Sequence, residues 1–342
     1  MNKILTLIIV LILTFSVKAQ SQYNDFVVSN KSIIALDESE KLIFFDQKTG
    51  EKIDSLDIPS KAVFLTKDKL GEIVVVNETN EVLKYEKDKK TWEQITNSKA
   101  KIFGVLFDSE NTCFLITENG IKNTKTKKQY FSKKSLNNQI HYKKKWGNPY
   151  TYYIDNNDRI WIGFGYGEWG GNIFIFDTKK SKFLKPKLNN FEIELWPIKS
   201  FFETDNNVYL SSGLQHMMTS SIIVKFDDKL NVTELYNSET DWENSVEGEY
   251  IGPATYNKLD NSIYYYSQEG IKKGKLNSDL SKKENWKLVI KPKLHWVYGQ
   301  PDAVGSPMNV LKLTILDNSR LVFLSQNDGI GIFNGKELIM LR

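Results

Sequence analysis

One motif recurs along the chain and constrains its fold more than any other feature: a hydrophobic strand, an Asp/Asn turn and a second, more aromatic strand. The clearest copies are Phe107-Asp108-Ser109-Glu110-Asn111-Thr112-Cys113-Phe114 and Ile154-Asp155-Asn156-Asn157-Asp158-Arg159-Ile160-Trp161. Shorter copies start at Thr204-Asp205-Asn206, Leu259-Asp260-Asn261 and Leu316-Asp317-Asn318. Strand-only repeats spaced roughly 40–60 residues apart are the signature of a β-propeller, in which each repeat is one four-stranded blade. A β-helix would have shorter and more regular coils, and a sandwich would rarely repeat one turn so often.

A second signature marks the outer hairpin of each blade, an apolar-aromatic strand ending in an acid or Asn and a polar turn. It appears at Leu42 to Gly50, Val82 to Glu86, Ile173 to Asp177 and Ile222 to Asp227, and in shortened form at Gly331 to Gly335. Such turn residues between alternating apolar strands are hairpin chemistry. Placing both signatures predicts an all-β fold of seven four-stranded blades over 23–58, 60–97, 100–132, 149–187, 197–237, 249–292 and 309–342, with six or eight blades as alternatives. Ile121 to Tyr130 is polar, so the outer half of blade three is weak. Asp25 to Ser29 is a poor inner strand, and an alternative is that it pairs with the last blade and clasps the ring.

Residues 1–19 read as a secretory signal peptide. Lys3 supplies the positive region, Ile4 to Phe15 the apolar stretch, and Val17-Lys18-Ala19 the small-residue cleavage site. The apolar stretch is shorter than the roughly 20 residues that span a bilayer, so no stable membrane insertion is expected. The expected product is a single propeller domain, 20–342, secreted or periplasmic and monomeric. Its one cysteine, Cys113, allows no internal disulfide, so stability must come from burial. On a strand with nothing basic beside it, that thiol reads as buried and inert. The formal charge of +4 falls to +2 once Lys3 and Lys18 are removed, too balanced to argue for nucleic acid.

Asp155-Asn156-Asn157-Asp158-Arg159-Ile160-Trp161-Ile162-Gly163 resembles the repeat of two-component-regulator-type propellers, an Asp-rich turn before a Trp-containing strand. That resemblance implies an extracytoplasmic sensing or scaffold module. Asp46-Gln47-Lys48-Thr49-Gly50-Glu51 is similar to the Asp-x-x-Thr-Gly turn of quinoprotein-like propellers, which would imply a cofactor only if its ligands were present. No cofactor is predicted.

Function should sit on one face. In a propeller, the loops between blades and those joining the second and third strands share a face, and here they are long and dissimilar in blades four to seven. Five of the eight tryptophans fall in them, Trp146, Trp169, Trp196, Trp242 and Trp296, with all three histidines, His141, His216 and His295. Indole faces offer large contact area at low entropy cost. The expected ligand-binding residues are Trp146, Tyr166, Trp169, Trp196, His216, Trp242, His295, Trp296, Tyr298 and Gln300, for a glycan, peptide or protein ligand. Gly165-Tyr166-Gly167-Glu168-Trp169-Gly170-Gly171 reads as a glycine-flanked clamp. The competing reading is that these loops pack on one another with the tryptophans as a small satellite core.

Catalytic motifs are absent: there is no Gly-x-Ser-x-Gly elbow, no phosphate loop and no His-Glu-x-x-His. Two alternatives to a binding module follow. One is a carbohydrate-active hydrolase or lyase using His216, His295 and nearby carboxylates, with paired acids drawn from Glu168, Glu247 and Asp302; the other is a scaffold. Glu247, Glu249 and Asp302, in loops neighbouring the histidines, are the oxygen donors a metal would need. No metal is predicted, because no pair of histidines has ligand spacing. Nine lysines without an acid between Lys122 and Lys145, and five acids without a base between Glu239 and Glu249, read mainly as solvated loop charge.

Overall fold

A computed structural model of the chain describes residues 23–29, 31–133, 145–189, 191–216, 218–240, 243, 247–295, 309–316 and 319–341. The described residues form seven four-stranded antiparallel sheets, each built from one continuous stretch of sequence, arranged as the blades of a ring. The fold is a seven-bladed β-propeller. Each sheet runs from an innermost strand at the central channel to an outermost strand at the rim.

The recurring turn owes its shape to one carboxylate. Asp155 Oδ1 accepts from the backbone N–H groups of Asn157 at 3.0 Å and Arg159 at 2.8 Å, and Asp158 takes a positive φ of 61°. Asp108 does the same for Glu110 and Thr112, with Asn111 at φ 60°. The short acid replaces backbone partners that the reversal loses, and the third residue after it must tolerate the left-handed region, which suits Asn, Asp and Gly.

Successive turns are also bonded to each other from blade two to blade five. Asp158 accepts from Ser109 N–H at 2.7 Å and Ser109 Oγ at 2.6 Å, joining blades four and three. Asn111 takes Lys69 N–H at 2.9 Å, and Glu203 Oε2 takes Asn156 N–H at 2.9 Å. The acid-rich turns therefore serve twice, closing their own hairpin and fastening the next.

The core is not one mass but seven apolar clusters, one in each gap between adjacent blades. Trp161 shows why the strand after the turn is aromatic. Its ring fills the gap between blades four and five against Phe201 and Phe226, while its Nε1 donates to Asp155 Oδ2 at 2.9 Å. Cys113 is buried between blades two and three, and burial pushes its thiol up to about 12, as an inert core cysteine requires.

The alternative of a clasp at the ring's seam is corrected. Tyr23–Val28 pairs with Ser32–Asp37 as the innermost strand of its own blade, because Ser29 N–H and Oγ bond back to Ser32 and reverse the chain over a very short turn. The seam closes by packing: blades one and seven share a cluster from Phe26 and Ile33 to Val322 and Ile332. Lys312 Nζ reaches across it to Asp25 Oδ1 at 2.8 Å and Phe26 O at 2.6 Å. Blade three is weak at its rim, where the outermost strand is only Gln129–Tyr130.

Candidate functional site

Interblade loops and the second-to-third-strand loops do share one face, and contacts tie them together. Trp146 N–H donates to Glu118 O at 2.7 Å, and His295 N–H to Asp328 Oδ2 at 2.8 Å. Among the described residues, blade four carries the most exposed aromatic on this face. The hairpin of its second and third strands ends in a single helical turn, Gly167–Trp169, closed by Tyr166 N–H to Gly170 O at 2.7 Å. Gly167 and Gly170 sit at φ 62° and 80°, and the tight reversal they permit throws the Trp169 indole outward, 78 % exposed. Gly171 is required by crowding, since a Cβ there would lie 2.1 Å from Trp196 O.

Tyr166 stands behind this loop with its ring stacked on Phe164 at 6.1 Å, and its hydroxyl is buried without a hydrogen-bond partner. Asn172, on the strand that follows, gives Oδ1 to Ile173 N–H but leaves Nδ2 unpaired in the interior. Of the two rings, that of Trp169 stands in solvent and that of Tyr166 is half-buried.

The other predicted residues divide. Trp146 and Trp196 are corrected to packing residues, 3 % and 7 % exposed. Trp146 stacks on Phe174 at 5.0 Å and donates Nε1 to Ser132 O at 3.0 Å, filling the gap between blades three and four. Trp196 belongs to the next gap. Both lie within five residues of an innermost strand, and that proximity is the signal that separates them from Trp169, which sits at a hairpin tip.

His295 is exposed, and its Nδ1 lies 2.5 Å from Asp328 Oδ1. Trp242, Trp296, Tyr298 and Gln300, with His141 and Asp302, lie outside the described residues, as do the side chains of His216 and Glu168.

Glu249 is not a free ligand. Its carboxylate is buried, takes the Tyr265 hydroxyl at 3.1 Å and pairs with Lys272 at 2.6 Å. Burial would lower the Lys272 ammonium, but its pairs with Glu249 and Glu269 outweigh that and raise it. Among the described residues no group of three His, Cys, Asp or Glu side chains could hold a metal. The basic stretch is partly engaged too, with Lys145 on Glu118 at 2.8 Å.

Lys199 escaped the sequence reading. It lies at the loop-face end of Ile198–Thr204, the innermost strand of blade five, with Nζ 4.5 Å from the ring centre of Tyr150 and 5.7 Å from that of Tyr250. A single lysine in a strand carries no sequence signal; its surroundings come from two interblade loops far apart in the chain.

No family model matches the chain, and no curated protein is similar to it. The likeness to two-component-regulator-type and quinoprotein-like propellers therefore stands at the level of the fold. Among solved structures the chain is similar to hydrazine synthase of Kuenenia stuttgartiensis, at 10 % identity and a TM-score of 0.59, covering 96 % of this chain and 98 % of that one. U3-55K matches at 9 % identity and 0.57, over 90 % and 89 % of the two chains. The WD40 repeats of RRP9 match at 10 % and 0.57, over 90 % and 88 %. At such identities the likeness shows a shared propeller fold and nothing about activity.

Proposed function

We propose that this chain is an exported binding module that takes a glycan, peptide or protein on its loop face, with Trp169 and Tyr166 of blade four at the centre of contact. The observation that carries this reading is the Trp169 indole, held in solvent by a glycine-built turn. Burying it would recover apolar area that the free protein leaves wet, and its N–H adds direction. The test is intrinsic fluorescence titration with oligosaccharides and peptides, alongside capture of protein partners, using wild type and Trp169→Ala. Loss of binding in a variant that unfolds like wild type supports the reading; unchanged binding overturns it.

A second reading has one observation in its favour. Asp328 holds His295 through Nδ1 and leaves Nε2 on the exposed face, the arrangement of an oriented acid–base group. Glycosidase and lyase substrates turned over by wild type but not by His295→Ala would select it over a non-catalytic module. Export itself is read from residues 1–19, and N-terminal sequencing of the protein recovered outside the cytoplasm should begin at Gln20.

A further inference from the structure

The innermost strands of blades four to seven enclose a chamber of about 470 Å3 in the central channel, with Tyr152, Lys199, Phe202, Tyr256 and Lys312 among its walls. Lys199 stands at its wall by a specific device. Ile198 pairs with Ser212 and Ser200 with Ser211, so Lys199 is the extra residue of a β-bulge, without a partner across the ladder. Bulges re-aim a side chain, and they recur beside functional sites. The same step of the innermost strand is bulged in blades one, two, three and seven, at Asn24, Val63, Phe103 and Leu311. Blade five alone puts a charge there.

That charge is uncompensated. Among the described residues no carboxylate or carbonyl oxygen pairs with the Lys199 ammonium; its neighbours are the faces of Tyr150 and Tyr250. Neither Asp25 nor Glu203 pairs with it. Asp25 is held by Lys312 across the seam, itself bonded to Phe26 O. Glu203 also lines the chamber, four residues further along the same strand and about 13 Å away; its Oε2 takes Tyr153 Oη at 3.3 Å and Asn156 N–H, while its Oε1 is buried without a partner. Withdrawal from water brings the ammonium down to about 8, which expresses the missing counter-ion.

We propose that this chamber binds a small organic carboxylate, its charge on the Lys199 ammonium and its apolar body against the tyrosine and phenylalanine rings of the innermost strands. One unpaired cation answers one negative charge. A phosphate dianion would want a second free cation or a cluster of open N–H groups, and Lys312 is already occupied.

Calorimetric titration of the folded protein with acetate, benzoate, 4-hydroxybenzoate and indole-3-acetate, with benzamide and inorganic phosphate as controls, tests this. At least one carboxylate should bind one to one near neutral pH and weaken at least about tenfold by about pH 9.5, where the lysine is neutral. Lys199→Met should lose at least about tenfold in affinity and Lys199→Arg should retain binding. The wild-type pH profile stands even if a variant does not fold. Absence of binding by every carboxylate, equal binding by benzamide, or affinity indifferent to pH overturns the proposal. Trp169→Ala should bind the carboxylate as wild type does, so the chamber and the loop face fail or succeed separately.

Discussion

Lys199 and Asp155 show opposite treatments of a buried charge. Asp155 is compensated on every side: two turn N–H groups, Arg159 Nε at 2.6 Å and the Trp161 indole at 2.9 Å converge on one carboxylate. Asp155→Ala should therefore strand the Arg159 guanidinium and cost about 3–5 kcal/mol, while Asp155→Asn, which keeps an acceptor, should cost about 1–2 kcal/mol; urea unfolding monitored by tryptophan emission checks both. Lys199 is uncompensated, and its depressed ammonium makes a signed prediction. Between about 8 and the ordinary lysine value of 10.5 the unfolded chain holds a proton that the folded chain has released. Stability attributable to Lys199 therefore rises with pH across that window. Lys199→Met should be more stable than wild type at neutral pH, by about 1–3 kcal/mol, and the advantage should vanish near pH 10.5. A constant difference between the two denaturation curves across that range would refute the assignment.

At the scale of the element, the blade-four hairpin and the loop packed on it are a coupled pair. Gly171 lets the second strand pass beneath the Trp196 carbonyl, with Phe164 O also only 2.6 Å from where a Cβ would sit. Gly171→Ala should displace that loop and cost about 1–3 kcal/mol through overpacking. Gly167→Ala meets open space and bears only the left-handed backbone, about 1 kcal/mol. Thermal unfolding ranks the two, and a larger loss at Gly167 would contradict the crowding. The hairpins themselves were legible because their chemistry is local: an acid, a tolerant third residue and an aromatic strand lie within nine residues of one another. The state of each tryptophan was harder to read, because Trp146 is covered by Phe174 and Phe164 of the blade that follows it, and its short distance from that blade's innermost strand is the one trace this leaves in the sequence.

The whole molecule is a ring without a shared sheet at its seam. Closure rests on the blade one–blade seven cluster and on polar bridges such as Lys312 to Asp25 and Arg320 Nη1 to Gln47 O at 2.7 Å. Weakening the seam should loosen the ring as a unit, since every gap depends on its two neighbours. Cys113, buried between blades two and three, reports on that from a distance. Its labelling by a thiol reagent in native buffer should be slower than in denaturant by about 1,000-fold or more. Asp25→Ala should destabilise by about 1 kcal/mol and speed Cys113 labelling by the matching several-fold factor. Faster labelling without loss of global stability would mean that blades open singly.

Seven blades, their limits and the single inert thiol could be read from the order of residues, because a propeller repeats a local unit and each unit carries its own turn chemistry and apolar faces. The closure of the ring, the inward turn of Trp146 and Trp196, the bonds between the Asp and Asn turns of blades two to five and the bulge that sets Lys199 at the channel wall could not. Each depends on which blade stands beside which and on the last few ångströms of approach between segments distant in the chain. Nothing in the order of neighbouring residues encodes those approaches; packing sets them.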